Sequence, residues 1–125
     1  MITNKDDMLV SSDIIDRIKE LELHLETEPD DWTINDAEEL LNLITVQEQC
    51  EDVADWEHGE ALIRESYFTD YIEELINDCY DMPKEINSGD WPWRHMKIDY
   101  EAAAQEAKAD YEEIDFDGTT YLIRA

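Results

Sequence analysis

The sequence predicts an α+β fold: an N-terminal helical hairpin followed by a small antiparallel sheet of three to four strands packed with two helices. Three patterns indicate this class. Apolar residues recur at helical spacing in residues 12–55, a short apolar stretch precedes a strongly amphipathic helix after residue 59, and the chain ends in two strand-like segments around an Asp-Gly turn. The 125 residues suffice for one compact domain, in which residues 56–125 form an α+β module.

The first helix is expected to follow a frayed, polar segment, residues 1–11, with Ser12 as its N-cap. It should run to about Thr27, because aliphatic residues recur along one face at intervals of four, three and four residues. These residues are Ile14, Ile18, Leu21 and Leu25. The opposite face carries the carboxylates Asp13, Asp16 and Glu20.

A second helix should begin after residues 28–31, Glu-Pro-Asp-Asp, with either Thr33 or Asn35 as its cap. Its first apolar stripe is Ala37, Leu40, Leu41 and Ile44. A second apolar face, turned away from the first, consists of Val46, Cys50 and Val53. One straight helix cannot bury both faces on one side. It must therefore bend near residues 47–50, or its second half must pack elsewhere, against the C-terminal region or another subunit.

The α+β module is expected to open with a strand at residues 61–64, after Gly59. Ser66 should then cap the most amphipathic helix, from Tyr67 to about Tyr80. The apolar half of this helix is Phe68, Tyr71, Ile72, Leu75, Ile76 and Cys79. The other half carries five carboxylates: Asp70, Glu73, Glu74, Asp78 and Asp81.

Beyond Pro83, a loop carries Trp91 and Trp93, which are expected to close the core or a partner contact. The remaining elements are a strand at residues 96–98, a helix capped by Asp99 and running to about Ala109, and hairpin strands at residues 111–116 and 119–124. Asp117-Gly118 joins the two strands, as expected of a tight hairpin turn.

Acidic residues dominate the composition: 35 Asp and Glu oppose 9 Lys and Arg, for a net charge of −26. This balance excludes direct nucleic-acid binding, which needs a cationic face. Disorder is not expected, because the chain has four Trp, six Tyr and a hydrophobic fraction of 42 %. It has neither an apolar stretch of about 20 residues nor a signal-peptide pattern, so we expect a protein of the host cell cytoplasm with no membrane partner.

No motif for catalysis, a cofactor or a metal is present. With 35 carboxylates, acid pairs arise by chance at any spacing. The histidines, His24, His58 and His95, lie far apart and lack zinc spacing. Residues 115–118, Asp-Phe-Asp-Gly, begin like a calcium loop but lack its later ligands. We therefore expect no enzyme, no cofactor and no metal site, and two reduced cysteines.

The charge is large enough to imitate DNA. At one charge per roughly 1.7 Å of duplex, 26 charges match about 44 Å, or about 13 base pairs, in a domain about 35 to 40 Å across. Carboxylates three and four residues apart on a helix lie about 5 to 6 Å apart at Cβ, not far from the spacing of neighbouring phosphates. The carboxylate row of residues 70–81 has this spacing. A solvated helix face is the alternative, but the scarcity of lysines at i+4 disfavours it.

Several spaced motifs of residues 56–125 occur in an order shared with a known family. They are residues 62–68 (Leu-Ile-Arg-Glu-Ser-Tyr-Phe), Tyr71 with Glu74-Leu75, residues 98–103 (Ile-Asp-Tyr-Glu-Ala-Ala), Asp110-Tyr111, and Phe116-Asp117-Gly118 with Tyr121 and Arg124. These motifs resemble the C-terminal part of ArdA-type antirestriction proteins. The resemblance implies an acidic, often dimeric DNA mimic from phages or mobile elements that inhibits type I restriction enzymes. The chain is shorter than that family, and residues 1–55 differ from its N-terminal domains.

We therefore expect a phage-type anti-defence protein that occupies the DNA-binding site of a host restriction, CRISPR or similar complex. The carboxylates expected to bind it are Asp70, Glu73, Glu74, Asp78, Asp81, Asp13, Asp16 and Glu20. The main alternative is an acidic adaptor or chaperone that binds a basic protein without imitating DNA, and a weaker one is a carboxylate-based metal enzyme. A homodimer is also expected, because the face at residues 46–53 and the two loop tryptophans leave more apolar surface than a small domain hides.

Overall fold

The computed structural model describes residues 1–79, 85 and 88–124. Within these residues the chain folds as an α+β protein with four α-helices and one antiparallel sheet, as the sequence predicts. The strands are β1 (Met8–Val10), β2 (Ala61–Arg64), β3 (Tyr111–Phe116) and β4 (Thr119–Arg124). The helices are α1 (Ser11–Thr27), α2 (Ile34–Gln49), α3 (Phe68–Cys79) and α4 (Tyr100–Ala107).

The four strands lie in the order β1-β2-β4-β3, and every neighbouring pair is antiparallel. Because side chains alternate across a strand, each sheet face has its own core. Leu62, Tyr121 and Ile123 face α1 and α2, whereas Ile63 and Leu122 face α3 and α4. The sheet is therefore the middle of three layers, with the N-terminal helical hairpin on one side and the later helices on the other.

The N-terminal segment is not frayed throughout, which corrects the expectation for residues 1–11. Residues Met8–Val10 form an edge strand on β2, with Leu9 opposite Leu62 and buried at 6 % exposure. The backbone N–H of Arg64 donates to the carbonyl of Asp7 at 2.8 Å. Three residues with one buried side chain are too few to show the alternation of apolar and polar residues that predicts a strand. The strand is therefore recognised only by its pairing with β2.

Helix α1 begins one residue before the expected cap. Val10 occupies the N-cap position without a side-chain hydrogen bond, so Ser12 is not the cap. The buried Ser11 instead ties the helix to the start of β2: its N–H donates to the carbonyl of Glu60 at 2.8 Å, and its Oγ accepts from the Glu60 N–H at 2.7 Å. Of the expected apolar face, Leu25 remains 43 % exposed.

Helix α2 is capped as expected, but its buried face is shifted from the expected stripe, of which Leu40 and Ile44 are partly buried against the core. Thr33 Oγ1 accepts from the Asp36 N–H at 3.2 Å, and Asp36 Oδ2 accepts from the Thr33 N–H at 3.0 Å, which completes a capping box. The buried line runs through Glu39, Leu43 and Val46, whereas Leu41 of the expected stripe is 65 % exposed. The stripe was misplaced because Glu39, a charged residue, occupies a buried position.

The apolar residues at the end of α2 belong to the core of this chain. The helix ends at Gln49, and Val46, Cys50 and Val53 are all buried in the cluster that includes Ile114 and Phe116 of β3. Of the two alternatives, the second half of the helix therefore packs against the C-terminal hairpin. Both cysteines are free: Cys50 is buried and Cys79 is exposed.

In the second half, Ser66 lies within a 3₁₀ turn, Glu65–Tyr67, that leads into α3, and the expected helix end at Tyr80 lies outside the described residues. Residues 96–98 do not form the expected strand; Met96 is 49 % exposed, so the segment buries too little apolar surface to join the sheet.

The last two elements agree with the sequence prediction. Asp99 caps α4, since its Oδ1 accepts from the Ala102 N–H at 3.0 Å. The hairpin strands have the expected bounds, and φ is +48° at Asp117 and +81° at Gly118, as a type I′ turn requires. None of the helices in the described part of the chain has the length and apolarity to cross a bilayer.

Candidate functional site: an acidic surface

Carboxylates cover the protein on all sides. Every Asp and Glu that the structure describes is exposed, except the buried Glu39 and the half-buried Asp36, Glu60 and Glu73. Few of these groups have a cationic partner. Among residues 1–79, 85 and 88–124, both ion pairs between a carboxylate and a lysine or arginine involve Arg17. The surface therefore offers many carboxylates that are free to meet the cations of a partner.

The buried carboxylate, Glu39, is bound by Arg17. Arg17 Nε donates to Glu39 Oε2 at 2.7 Å and its Nη2 to Oε1 at 2.8 Å, while Nη1 reaches Glu20 Oε1 at 2.7 Å. The Ile2 N–H also donates to Glu39 Oε2, at 3.1 Å. The hydrogen bonds from Arg17 lower the pKa of Glu39 and raise that of Arg17. This network joins α1, α2 and the N-terminal segment, so Glu39 has a structural role.

The expected binding carboxylates divide into two sets on opposite layers. The α1 set, Asp13, Asp16 and Glu20, is exposed on the helical layer that covers one face of the sheet. In the α3 set, Asp70, Glu74 and Asp78 are exposed and Glu73 is half-buried, on the layer that covers the other face. Asp81 lies outside the described residues. The fold therefore does not bring the two sets together, and a flat partner surface would contact one set at a time.

The α3 set has neighbours that sequence reasoning missed. Helix α4 packs beside α3, and the Tyr100 hydroxyl lies 3.4 Å from Asn77 Oδ1 across this contact. Glu101 and Glu106 of α4 are exposed on the same layer. Ala103, Ala104 and Ala107 pack toward the core, so the amphipathic pattern of α4 is the signal that would have identified Glu101 and Glu106 as exposed.

One α3 carboxylate has a specific partner. The Tyr67 hydroxyl donates to Glu74 Oε1 at 2.9 Å, and this hydrogen bond to a carboxylate raises the pKa of Tyr67. The contact joins the residue before α3 to its second turn. It restrains the Glu74 side chain, and no such contact holds the other exposed carboxylates of α3 within the described residues.

A cleft at the end of α2 contains a cysteine. The volume of the cleft is about 410 Å³, and its lining includes Cys50 with the acidic residues Glu51, Asp52 and Glu57. Burial raises the pKa of the Cys50 thiol to about 12, and the charge of Glu112 adds to this. A thiol with that pKa stays protonated near neutral pH, so Cys50 lacks the thiolate that a nucleophile needs.

The apolar surface that favours a dimer is smaller than the sequence implies. The face formed by Val46, Cys50 and Val53 is buried inside the chain. Trp93 is half-buried, whereas Trp91 is 73 % exposed and is not a core residue. Two other large exposed side chains lie on α2, Ile34 at 77 % and Leu41 at 65 %.

The structure also assembles one cluster with metal-ligand chemistry that the sequence does not predict. His24, Glu28 and Asp31 lie at positions i, i+4 and i+7, and their donor atoms fall within 4.8 Å of one another. Their spacing matches no metal-binding motif because the helix ends and the chain turns at Pro29, between the residues. No protein-family model, curated protein or solved structure matches this chain.

Proposed function

We propose that this protein is a non-enzymatic, phage-type anti-defence protein that imitates DNA and occupies the DNA-binding site of a host defence complex in the host cytoplasm. The observation that supports this best is the surface of exposed carboxylates with almost no internal cationic partners. An ordinary soluble domain needs a much smaller net charge than −26. Repulsion among the carboxylates of this protein lowers its stability, and binding to a strongly cationic groove offsets that cost.

The way the carboxylates are held supports mimicry. Those of α3 and α4 project from helices that pack on a buried core of Ile63, Phe68 and Leu122, so the backbone positions that carry them are fixed. Side chains three and four residues apart on α3 lie about 5 to 6 Å apart at Cβ. The lysines and arginines of a DNA-binding groove contact phosphates at a comparable spacing. They can therefore contact these carboxylates without a rearrangement of the helix.

The resemblance to ArdA-type antirestriction proteins points the same way. Its motifs fall on consecutive elements of the fold: residues 62–68 on β2 and the turn into α3, residues 98–103 at the start of α4, and residues 110–124 on the C-terminal hairpin. In this chain β1, from the N-terminal region, completes the sheet that these elements build. We infer that the N-terminal hairpin and the ArdA-like half act as one unit.

An acidic adaptor is the second candidate, and exposed apolar residues favour it. Ile34 and Leu41 lie two turns apart on α2 and are both largely exposed, which a pure phosphate mimic does not need. A basic protein with an apolar contact, bound outside any DNA site, would use them. The homodimer is retained as a proposal that now depends on Trp91 and this α2 surface.

Competition with DNA distinguishes the two candidates. The tagged chain is used to capture its partner from a host lysate, and the captured complex is challenged with duplex DNA longer than about 13 base pairs at fixed salt. Mimicry predicts that DNA displaces the protein from its partner, and that the pure protein itself causes no mobility shift of DNA. A complex that DNA leaves intact would favour the adaptor, and a direct shift of DNA would contradict both.

A further inference from the structure

Three side chains with metal-binding chemistry meet at the end of α1. His24 is in the last turn of that helix, Glu28 is its C-cap residue, and Asp31 ends the following 3₁₀ turn, Pro29–Asp31. His24 Nε2 lies 3.6 Å from Asp31 Oδ2 and 3.9 Å from Glu28 Oε2. One imidazole nitrogen and two carboxylates therefore converge on a single point.

His24 Nε2 has no partner of its own. The atom itself is covered and no group in the described residues hydrogen-bonds to it, although the His24 side chain as a whole is 30 % exposed. Both carboxylates lie beyond hydrogen-bond distance, although their side chains are exposed and free to move. A buried nitrogen without a partner is rare, because it loses its hydration and gains nothing in return. Something that binds nitrogen and carboxylate together would satisfy it.

The neighbourhood holds the imidazole in place. The Trp32 ring meets the His24 ring edge to face, with centroids 5.6 Å apart. The backbone of the turn is closed by the Glu28 N–H donating to the His24 carbonyl at 2.8 Å and the Asp31 N–H donating to the Glu28 carbonyl at 3.1 Å. The three ligand side chains therefore extend from a backbone that is already ordered.

We propose that His24, Glu28 and Asp31 form a binding site for one divalent transition-metal ion of the zinc class. Zinc binds imidazole nitrogen and carboxylate oxygen at about 2.0 to 2.2 Å, which in a tetrahedral site puts ligand atoms about 3.4 Å apart. The observed 3.6 and 3.9 Å need only small side-chain movements to reach this separation. Three protein ligands leave a position for water.

The donor set selects the class of ion. Imidazole suits Zn²⁺, Co²⁺, Ni²⁺ and Cu²⁺, whereas Ca²⁺ and Mg²⁺ prefer ligands that are all oxygen. Two carboxylates balance the charge of a divalent ion, and the C-terminal end of α1 adds the negative end of its dipole. A bound ion would join the end of α1 to the turn that leads into α2. The site is independent of DNA mimicry.

Metal titration of the chelator-treated full chain tests the proposal. Co²⁺ and Zn²⁺ are added in the presence of excess Mg²⁺, which occupies unspecific carboxylates, and binding is followed by calorimetry, Co²⁺ absorption and quenching of the tryptophan fluorescence by Co²⁺, to which Trp32 next to His24 contributes. We expect one saturable equivalent per chain. His24→Gln and Asp31→Asn should each weaken binding at least about tenfold, since losing a ligand costs more than losing an outer-shell partner.

The chain supplies matched controls for both variants. His58→Gln removes an exposed histidine and Asp30→Asn an exposed neighbouring carboxylate, and both should bind metal like the parent. Equal binding by His24→Gln and His58→Gln, or no saturable equivalent above the Mg²⁺ background, would overturn the proposal. If His24→Gln fails to fold, as judged by circular dichroism, the exposed pair Asp31→Asn and Asp30→Asn decides the question alone.

Discussion

The side-chain amide of Gln49, the last residue of α2, pairs with the backbone of Asp115 on the edge strand β3. Its Nε2 donates to the Asp115 carbonyl at 2.8 Å, and its Oε1 accepts from the Asp115 N–H at 2.9 Å. The amide thus takes the place of a neighbouring strand on the outer edge of the sheet. With the exposed carboxylates Glu112 and Glu113 beside it, this contact protects the edge from pairing with another chain.

The Gln49 contact should contribute measurably to stability. Gln49→Ala removes the two hydrogen bonds to the Asp115 backbone and a third from Nε2 to the Thr45 carbonyl at 3.1 Å, so we expect the free energy of unfolding to fall by about 1 to 2 kcal/mol in urea denaturation. Gln105→Ala, at an exposed position of α4, is the control and should be nearly neutral. Equal effects of the two substitutions would show that the Asp115 contact adds nothing.

Among the charged contacts of the described residues, the Arg17–Glu39 pair should cause the largest loss of folding stability when one partner is replaced. Glu39→Ala leaves the Arg17 guanidinium, 22 % exposed, with the exposed Glu20 as its remaining carboxylate partner, so the substitution should cost about 2 to 3 kcal/mol, measured as above. The exposed neighbour Glu38 is the control, and Glu38→Ala should change little. A cost for Glu39→Ala no greater than that of Glu38→Ala would contradict this structural role.

The same pair predicts a pH dependence. Arg17 lowers the pKa of Glu39 below its ordinary value of 4.5, so the pair stabilises the fold above that value. Its contribution is lost as the pH falls through the lowered pKa and Glu39 becomes protonated in the folded state. The stability difference between the parent and Glu39→Gln should therefore be largest near neutral pH and shrink in acid. A difference that stays constant down to pH 2 would be contrary to this expectation.

Salt should stabilise the protein. Repulsion among exposed carboxylates opposes folding, and ions screen it over a distance that falls from about 30 Å at 0.01 M to about 3 Å at 1 M salt. The melting temperature should therefore rise with added NaCl. Neutralising Asp70, Glu73, Glu74 and Asp78 together should raise it at low salt and make its salt dependence weaker. A melting temperature that falls with salt would argue that internal ion pairs dominate.

Partner binding should depend on many carboxylates, none of which is indispensable. Single changes of Asp70, Glu73, Glu74 and Asp78 to the corresponding amides should each weaken binding slightly, since exposed ion pairs are individually weak. The combined variant should weaken it strongly, with a shallower dependence of affinity on salt because fewer ions are exchanged.

The α1 set provides the matched comparison, because it lies on the opposite layer. Changing Asp13, Asp16 and Glu20 together removes three charges, against four in the α3 variant, and because Glu20 pairs with Arg17 the fold of this variant is checked by circular dichroism. If the partner contacts the α3 layer, this variant should bind nearly as well as the parent. Strong loss with the α1 variant and none with the α3 variant would place the contact on the N-terminal hairpin, and abolition by a single residue would indicate a catalytic site.

The sequence by itself determined the features that depend on neighbouring residues. The capping box of Thr33 and Asp36, the Asp99 cap and the type I′ turn at Asp117-Gly118 depend on backbone geometry over two to four residues, so local residue types suffice to predict them. The acidic character of the surface also follows from composition, because a small core has no room for 35 carboxylates.

Only the tertiary structure decided which groups meet across the chain. It placed β1 at the edge of the sheet and put the α1 and α3 carboxylates on opposite layers. It buried Glu39 beside Arg17 and left Leu41 exposed. It also turned His24 toward Asp31, past the end of the helix. These outcomes depend on contacts between segments far apart in sequence or across a chain reversal. Hydrophobic periodicity describes one element at a time and carries no information about its partner.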